Sequence, residues 1–349
     1  MLTIPDNPGT YILILRTLAS GRVRAGRLGE VRLVPGYLAY AGSALGGGGL
    51  RARIRRHMAA DKKPNWHIDY IRPYTLLDEI WFCPVRKKLE HQAASAIQSL
   101  PEASVAADRF GSSDCGCRSH LFRFERKPSL DSFMDAFREL AGSSQWESSA
   151  IPGRPRLLIS KCLTGYNCRY NGEPLTCGII NRLSSTADLI EVCPEMEIEL
   201  PVPRRPVNIV ISEGRKKLIQ EESYEDLTAR MVEFSSRFID SAEPVSGLIM
   251  KGRSPSCGIG NTPVHGIEVA EVSGFFASAF MERYPDTPAA NIEDLQGPDF
   301  LRSFLAAVLS RSARMREDFP GFSEDPLVEL WIRGNSASMA RYLLGSSSD

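Results

Sequence analysis

The chain has 349 residues, of which 43% are hydrophobic, and it carries 42 basic and 42 acidic side chains. This composition excludes a disordered chain, and no run of about 20 apolar residues that would cross a membrane is present. The N-terminal stretch MLTIPDNPGTYILIL lacks the basic segment and cleavage site of a secretory signal, so we expect a cytoplasmic protein that does not bind membranes. In that reducing compartment, the eight cysteines are expected to be metal ligands or reactive thiols rather than disulfides.

The charge is unevenly distributed along the chain. Residues 1–150 contain 21 of the 42 basic residues and 15 of the 42 acidic residues, which leaves 21 against 27 for the remainder. A basic N-terminal half predicts contact with nucleic acid in that part of the protein.

Residues 1–127 show the pattern of a small α+β domain. Segments typical of strands, such as GTYILIL and VRLVPGYLAYAGS, alternate with two predicted helices, GLRARIRRHMAA and KKLEHQAASAIQSL. An amphipathic helix over 129–140 follows, and the Ser, Gly and Pro content of AGSSQWESSAIPGRP indicates a linker. We therefore assign residues 128–155 to a helix and linker.

Residues 156–318 alternate apolar strands with helices, which predicts an α/β domain with a mostly parallel sheet. The segment SYEDLTARMVEFSSRFID has apolar residues at helical spacing, and Ser223 with Asp226 is predicted to cap its start. SGFFASAFMERYP and DFLRSFLAAVLSRSARM predict two further helices. Residues 319–349 give no clear signal and are treated as a C-terminal tail.

Three apolar strands of this second domain each run into a cysteine. LLIS precedes Cys162, LIEV precedes Cys193, and LIMKGRSPS precedes Cys257, while Cys168 lies in the loop after Cys162. Ligands of open parallel sheets bind outside the carboxyl ends of the strands, so these thiols are expected to converge on one crevice. The chain lacks the C-x2-C pair typical of structural zinc, and the spacing therefore favours an iron–sulfur site, with zinc and redox-active or inert thiols as the alternatives.

Three motifs in sequence order resemble the signature of the thiouracil desulfidase family. They are LLISKCLTGYNCRYNGE, LIEVCPEMEIELPVPR and LIMKGRSPSCGIG. The later SGFFASAFMERYPDTP resembles the longer version of that domain, found in fusions that desulfurate thiolated tRNA. The resemblance implies a 4Fe–4S cluster held by Cys162, Cys193 and Cys257, with one iron open, and we expect Cys168 to be a supporting thiol rather than a ligand.

The reaction implied by this resemblance removes sulfur from a thiolated base of the thiouracil or 4-thiouridine type. A thiocarbonyl sulfur is a soft donor that suits iron, and its binding polarises the carbon toward attack by water, which releases hydrosulfide. Glu195, two residues beyond Cys193, is the expected acid–base group, and Ser254 or Ser256 is expected to donate a hydrogen bond to the substrate or the cluster.

Basic residues near the predicted site indicate the class of substrate. They are Arg169, Arg204, Arg205 and Arg253. Their charge favours a substrate that carries phosphate, although a free thiolated nucleobase, its nucleotide and a thiouridine in tRNA all remain open.

The N-terminal domain resembles the GIY-YIG nuclease superfamily over roughly residues 8 to 125. Gly9-Thr10-Tyr11 and Tyr40-Ala41-Gly42 stand for its two triplets, and the resemblance makes Arg53 a phosphate-binding residue and Glu90 a carboxylate for Mg²⁺. Thr10 and Ala41 replace the usual middle residues, and the two triplets are far apart in the sequence. We therefore expect nucleic-acid binding without cleavage.

One further pattern of possible metal ligands occurs in this domain. Cys115 and Cys117 have C-x-C spacing and lie near His120. Because the sequence does not reveal a fourth ligand, the loop is interpreted as structural. The alternatives to a desulfidase are a structure-specific nuclease of the GIY-YIG type and a nucleic-acid binding protein with a structural metal site.

Overall fold

The computed structural model describes residues 4–59, 62–113, 115–150, 154–266, 271–315 and 326–344. These residues form two compact units. One unit contains residues 4–150 together with 326–344, and the other spans Arg154–Met315. Each helix in these ranges is too short or too polar to span a lipid bilayer.

The first unit is built on an antiparallel sheet. Its strands are β1 (Gly9–Thr17), β2 (Gly21–Arg24), β3 (Glu30–Leu33), β4 (Gly36–Ala44), β5 (Thr75–Cys83), β6 (Ser104–Val105), β7 (Leu121–Phe124) and β8 (Glu147–Ala150). Its first helices are α1 (Gly49–Met58), α2 (His67–Ile71), α3 (Glu90–Ser99) and α4 (Leu130–Ala141). The main sheet has the order β6-β7-β4-β1-β5-β8, and β2 pairs with β3 separately.

The two faces of β1 have different surroundings because successive side chains of a strand point to opposite sides. Ile12 and Ile14 pack in a core with residues of α3 and α4. Tyr11 instead shares a hydrogen bond with His57 of α1. The sheet therefore buries one face under α3 and α4 and directs Tyr11 toward α1.

Part of the predicted linker is structured. Glu147–Ala150 forms β8 and pairs with Phe82 to Glu79 of β5. Trp146, just before it, is buried with its ring centroid 4.9 Å from that of Phe133. Burial of this large side chain against α4 outweighs the turn-forming composition around it.

The second unit contains a parallel sheet. Its strands are β9 (Arg156–Ser160), β10 (Asp188–Val192), β11 (Val207–Ser212), β12 (Arg215–Gln220), β13 (Gly247–Met250), β14 (Thr262–Pro263), β15 (Glu271–Val272) and β16 (Ala289–Asn291). Its helices are α5 (Gly178–Leu183), α6 (Pro194–Glu197), α7 (Thr228–Ser241), α8 (Phe275–Arg283) and α9 (Pro298–Arg314). β10, β9, β13 and β16 lie side by side and parallel, whereas β11 and β12 form an antiparallel hairpin. The predicted α+β and mostly parallel α/β classes are confirmed.

Of the two residues predicted to cap α7, Asp226 bonds the first N–H of the helix and Ser223 does not. The helix begins at Thr228, and the carboxylate of Asp226 accepts the Thr228 backbone N–H at 3.0 Å. Ser223 lies in the turn after β12, where its hydroxyl donates to Gln220 at 3.1 Å. Because β12 pairs with β11 as far as Gln220, Ser223 lies in the turn just after the strand and bonds Gln220 rather than the start of α7.

The last described element is α10 (Pro326–Leu344), which packs against β5 and α1 of the first unit. Trp331 and Asn335 of this helix are buried. The sequence pattern does not predict α10, because its apolar and small residues leave no clear hydrophilic face.

Candidate active site

Three neighbouring parallel strands each deliver a thiol to the same edge of the sheet. Cys162 lies in the helical turn Lys161–Leu163 directly after β9, and Cys193 follows β10. Cys257 lies in the loop after β13 and is buried. The sheet order places β9 between β10 and β13, so these cysteines converge as predicted.

Cys168 is buried between two of the other thiols. Hydrogen bonding with Cys162 raises the pKa of the Cys168 thiol to about 11, although Cys193 acts in the opposite direction. The hydrogen bond with Cys168, together with burial, raises the pKa of Cys193 well above its usual range, and burial raises the pKa of Cys257 to about 12. A metal centre bound here would displace protons from these thiols, because thiolates are the ligands.

Glu195 of α6 is held by two side chains. Nε and Nη2 of Arg204 donate to its Oε2 at 2.9 and 2.6 Å, and the Ser256 hydroxyl donates to its Oε1 at 3.0 Å. The same Arg204 Nη2 also donates to the backbone carbonyl of Cys168 at 3.0 Å. This arrangement fixes the carboxylate beside the cysteines and opposite a cation.

Ser254 has a different role from Ser256. Its hydroxyl oxygen accepts the backbone N–H groups of Ser256 and Cys257 at 3.3 and 3.1 Å, and so it shapes the turn that presents Cys257. Gly274 packs against this turn so closely that a Cβ would lie 2.5 Å from the carbonyl carbon of Ser256. The turn therefore requires glycine at position 274.

A cavity of about 450 Å³ opens over these groups. Cys162, Cys168, Cys193, Cys257 and Glu195 all line it. Its basic lining residues are Lys161, Arg169, Arg204, Lys251 and Arg253. Its volume falls in the range of small-molecule sites.

The basic residues near the site differ in whether they pair with a carboxylate and whether they line the cavity. Arg204 is engaged by Glu195, and Lys251 pairs with Glu293. Arg205 does not line the cavity and pairs with Glu222 at 2.9 Å instead. Arg169 and Arg253 line the cavity and form no ion pair with the carboxylates of the described residues.

The structure also brings together the residues predicted for the N-terminal domain. Tyr11 pairs with Gly42 across β1 and β4, and Tyr40 pairs with Leu13, so both tyrosines lie on one face. Burial raises the pKa of Tyr11 well above its usual range, and Tyr40, Arg53 and Glu90 are near enough to modify it. Glycine at position 42 leaves room for the Tyr11 side chain, because a Cβ added at position 42 would lie 2.5 Å from the Tyr11 hydroxyl oxygen.

Several residues around Tyr11 were not expected from the sequence. His57 shares a 2.7 Å hydrogen bond with the Tyr11 hydroxyl, and burial lowers the pKa of His57 well below its usual range. Arg53 stacks on Trp66 with its guanidinium carbon 4.4 Å from the ring centroid. Cleavage or binding of nucleic acid by this group remains a prediction.

In the second unit, a paired carboxylate and four thiols at the carboxyl ends of parallel strands define a sulfur-rich ligand site in an α/β domain. Residues 157–291 match the family model described as 2-thiouracil desulfurase, and residues 10–142 match a domain of unknown function, DUF123, which is GIY-YIG-like. The chain therefore belongs to the 2-thiouracil desulfurase family through its C-terminal domain and carries a DUF123 domain at its N-terminal end.

Two known proteins are similar to part of this chain. The uncharacterized protein YbbK of Bacillus subtilis (strain 168) is 33% identical over 111 residues, which are 30% of this chain and 74% of YbbK. The solved structure of a [4Fe-4S]-dependent thiouracil desulfidase, TudS, is 24% identical, with a TM-score of 0.33, over 42% of this chain and 95% of that chain.

The sequence did not indicate the role of Arg204. Its position after Pro201-Val202-Pro203 has no motif that points to Glu195. Nor did the sequence separate Ser254 from Ser256, since both flank Pro255. Only the folded loop directs one hydroxyl to the turn and the other to the carboxylate.

Proposed function

We propose that the C-terminal domain is a desulfidase that removes sulfur from a thiolated nucleobase by hydrolysis. The observation that carries this proposal is the convergence of Cys162, Cys193 and Cys257 on one cavity beside Glu195. The net reaction adds water across the thiocarbonyl group and gives the oxo base and hydrosulfide, without oxidation or reduction.

The donor set fits a 4Fe–4S cluster held by Cys162, Cys193 and Cys257. Glu195 is the only carboxylate among the described residues that line the cavity, which also lack histidine, and Arg204 already occupies one of its oxygens. Soft thiolates without hard ligands favour an iron–sulfur centre. A cluster held by these three cysteines would supply a Lewis acid for the thiocarbonyl sulfur.

The protein's own residues handle the protons. We assign to Glu195 the removal of a proton from the attacking water, because its carboxylate lines the cavity. Arg204 and Ser256 orient this carboxylate through its two oxygens. Cys168 supports the site by joining Cys162 to Cys193 and by accepting a hydrogen bond from Arg204 at its carbonyl.

We further propose that the base carries a phosphate, as a nucleotide or within tRNA. Arg169 and Arg253 contribute positive charge to the cavity, and Arg204 and Lys251 already have carboxylate partners. Tyr170 lines the same cavity and is 46% exposed, so its ring is available to stack on a base.

The test is sulfide release by anaerobically prepared protein. Thiouracil, its nucleotide and thiolated tRNA are the substrates, and we expect the oxo base and hydrosulfide together with about four irons and four sulfides per chain. Serine substitution of Cys162, Cys193 or Cys257 should abolish the cluster and the activity, whereas Cys168→Ser should retain most of the cluster. Cys177→Ser, a half-buried cysteine outside the cavity, is the control. An intact cluster that releases no sulfide from any of these substrates would exclude the proposal.

A further inference from the structure

A second group of metal-type ligands lies in the N-terminal unit, apart from the cysteines of the cavity. His91, Cys115, Cys117 and His120 each offer one ligand atom, and these atoms all lie within 4.8 Å of one another. His91 was not expected from the C-x-C pattern, and it supplies the fourth ligand that the sequence did not reveal. We propose that these four residues bind one Zn²⁺ ion as a structural site.

The separations between sulfur and nitrogen match a zinc tetrahedron. Zinc lies about 2.3 Å from a thiolate and about 2.0–2.1 Å from an imidazole nitrogen, so tetrahedral angles place the two ligand atoms roughly 3.5 Å apart. Cys115 Sγ lies 3.5 Å from Nε2 of His120, and Cys117 Sγ lies 3.4 Å from Nδ1 of His91. A hydrogen bond within each Cys–His pair would explain its own distance. It would not explain why the ligand atoms of both pairs all lie within 4.8 Å of one another.

The backbone brings these ligands together from three places. His91 lies in the first turn of α3. The N–H of His120 donates to Phe110 at 2.8 Å, and its carbonyl accepts from Ala41 of β4 at 3.0 Å, so His120 is anchored to the main sheet. Between them, the Cys115 N–H donates to Ser112 at 3.3 Å in a tight turn. The metal would join α3 to the loop that precedes β7.

The donor types select zinc among the common metals. A set of two cysteines and two histidines is typical of structural zinc sites, whereas magnesium and calcium prefer oxygen ligands. His120 is buried and the other three ligands are half-buried. Four protein ligands would leave no position for substrate, so the ion has a structural role.

The proposed zinc site lies next to Glu90. The imidazole Nε2 of His91 lies 3.7 Å from Oε1 of Glu90. A histidine that binds zinc through one ring nitrogen commonly directs the other to a carboxylate, which fixes both groups. Zinc at Nδ1 of His91 would therefore lie next to Glu90, whose Oε1 also pairs with Lys88 at 3.3 Å.

Metal analysis of the full chain tests the zinc site. We expect about one zinc per chain, and the same content in a variant in which Cys162, Cys193 and Cys257 are all changed to Ser. The Cys115→Ser/Cys117→Ser variant should lose the zinc. Zinc retained in that variant, or absent from the protein with all its cysteines, would overturn the proposal.

X-ray absorption at the zinc edge gives a readout that does not depend on the folding of the Cys115→Ser/Cys117→Ser variant. The spectrum of the variant without Cys162, Cys193 and Cys257 should fit two sulfur and two nitrogen ligands. A shell of four sulfurs, or one of oxygen and nitrogen only, would contradict the assignment. His91→Cys should keep the ion with a third sulfur, whereas His91→Ala should lower its affinity by roughly 10–100-fold or more.

Discussion

At the scale of single residues, Glu195 shows how a site is made from side chains that are distant in sequence. Arg204 reaches it from the segment before β11, and Ser256 reaches it from the loop after β13. The side chains of Glu195 and Arg204 are 12% and 3% exposed. A charge pair this shielded is held in one geometry, which suits a group that must meet water at a defined position.

The first prediction separates the carboxylate from the residues that hold it. Glu195→Gln should keep the cluster and lower the rate of sulfide release by about 10²–10⁴-fold, because the amide cannot accept the proton. Ser256→Ala should cost roughly 10–100-fold, the usual value of one hydrogen bond to a charged group. Rates are measured anaerobically with iron content determined in parallel.

Glu197→Gln is the matched control, since Glu197 is an exposed carboxylate on the same short helix. Ser254→Ala should act differently from Ser256→Ala, because Ser254 bonds the backbone of the turn and not the carboxylate. It should lower cluster content along with the rate. A rate for Glu195→Gln equal to that of the unchanged protein would remove Glu195 from the reaction.

At the scale of elements, α10 completes the backbone hydrogen bonding of β5 in the N-terminal sheet. Between Ile14 and Leu15 the pairing of β1 with β5 shifts register, and β8 pairs with β5 only from Glu79 to Phe82. Leu77 of β5 lies outside the segment that pairs with β8, and Asn335 of α10 bonds its backbone instead. The Asn335 Oδ1 accepts the Leu77 N–H at 3.0 Å, and Nδ2 donates to the Leu77 carbonyl at 3.2 Å. A helix side chain thus satisfies backbone groups that a strand would otherwise satisfy.

The second prediction concerns this contact. Asn335→Ala should lower the free energy of unfolding of the N-terminal unit by about 1–3 kcal/mol, because the buried N–H of Leu77 would lose its partner. Denaturant titration of the full chain, followed by circular dichroism, measures the change. Arg333→Ala, on the exposed side of the same helix, should stay within about 0.5 kcal/mol. Equal effects of the two substitutions would show that Asn335 has no special role.

At the scale of the whole molecule, the two units carry different chemistry. The unit of residues 154–315 contains the cavity with its cysteines, and the N-terminal unit contains the tyrosine group and the histidine and cysteine cluster. From the excess of basic residues in the first 150 residues, we propose that the N-terminal unit delivers RNA and the C-terminal unit carries out the reaction.

The third prediction tests this division. The fragment Arg154–Met315 should act on free thiouracil nearly as well as the full chain, and it should lose about 10²-fold or more on thiolated tRNA, because a second binding module raises the effective concentration of a tethered substrate. Both are measured as sulfide release at matched cluster content. Equal losses on the two substrates would leave the N-terminal unit without a delivery role.

A binding measurement on the full chain complements the fragment. RNA affinity should fall as salt rises and should weaken on Arg53→Gln and Arg55→Gln, with little or no cleavage in Mg²⁺ or Mn²⁺. Arg55 is exposed on α1, so its substitution tests charge without disturbing the core. Robust cleavage lost on Glu90→Ala would instead support the nuclease interpretation.

The local pattern of the chain was sufficient for the strands that end at Cys162, Cys193 and Cys257 and for most helices. Apolar runs that stop at Gly, Pro and Ser are strong local signals, and the rule that parallel strands share an edge brings their cysteines together. Three features were decided only by the tertiary structure: the pairing of Arg204 and Ser256 with Glu195, the convergence of His91 with Cys115, Cys117 and His120, and the docking of α10 on β5. Each depends on contacts between segments far apart in the chain. The local sequence around these side chains does not say which partner they meet, and hydrogen-bond geometry and burial in the folded protein decide it.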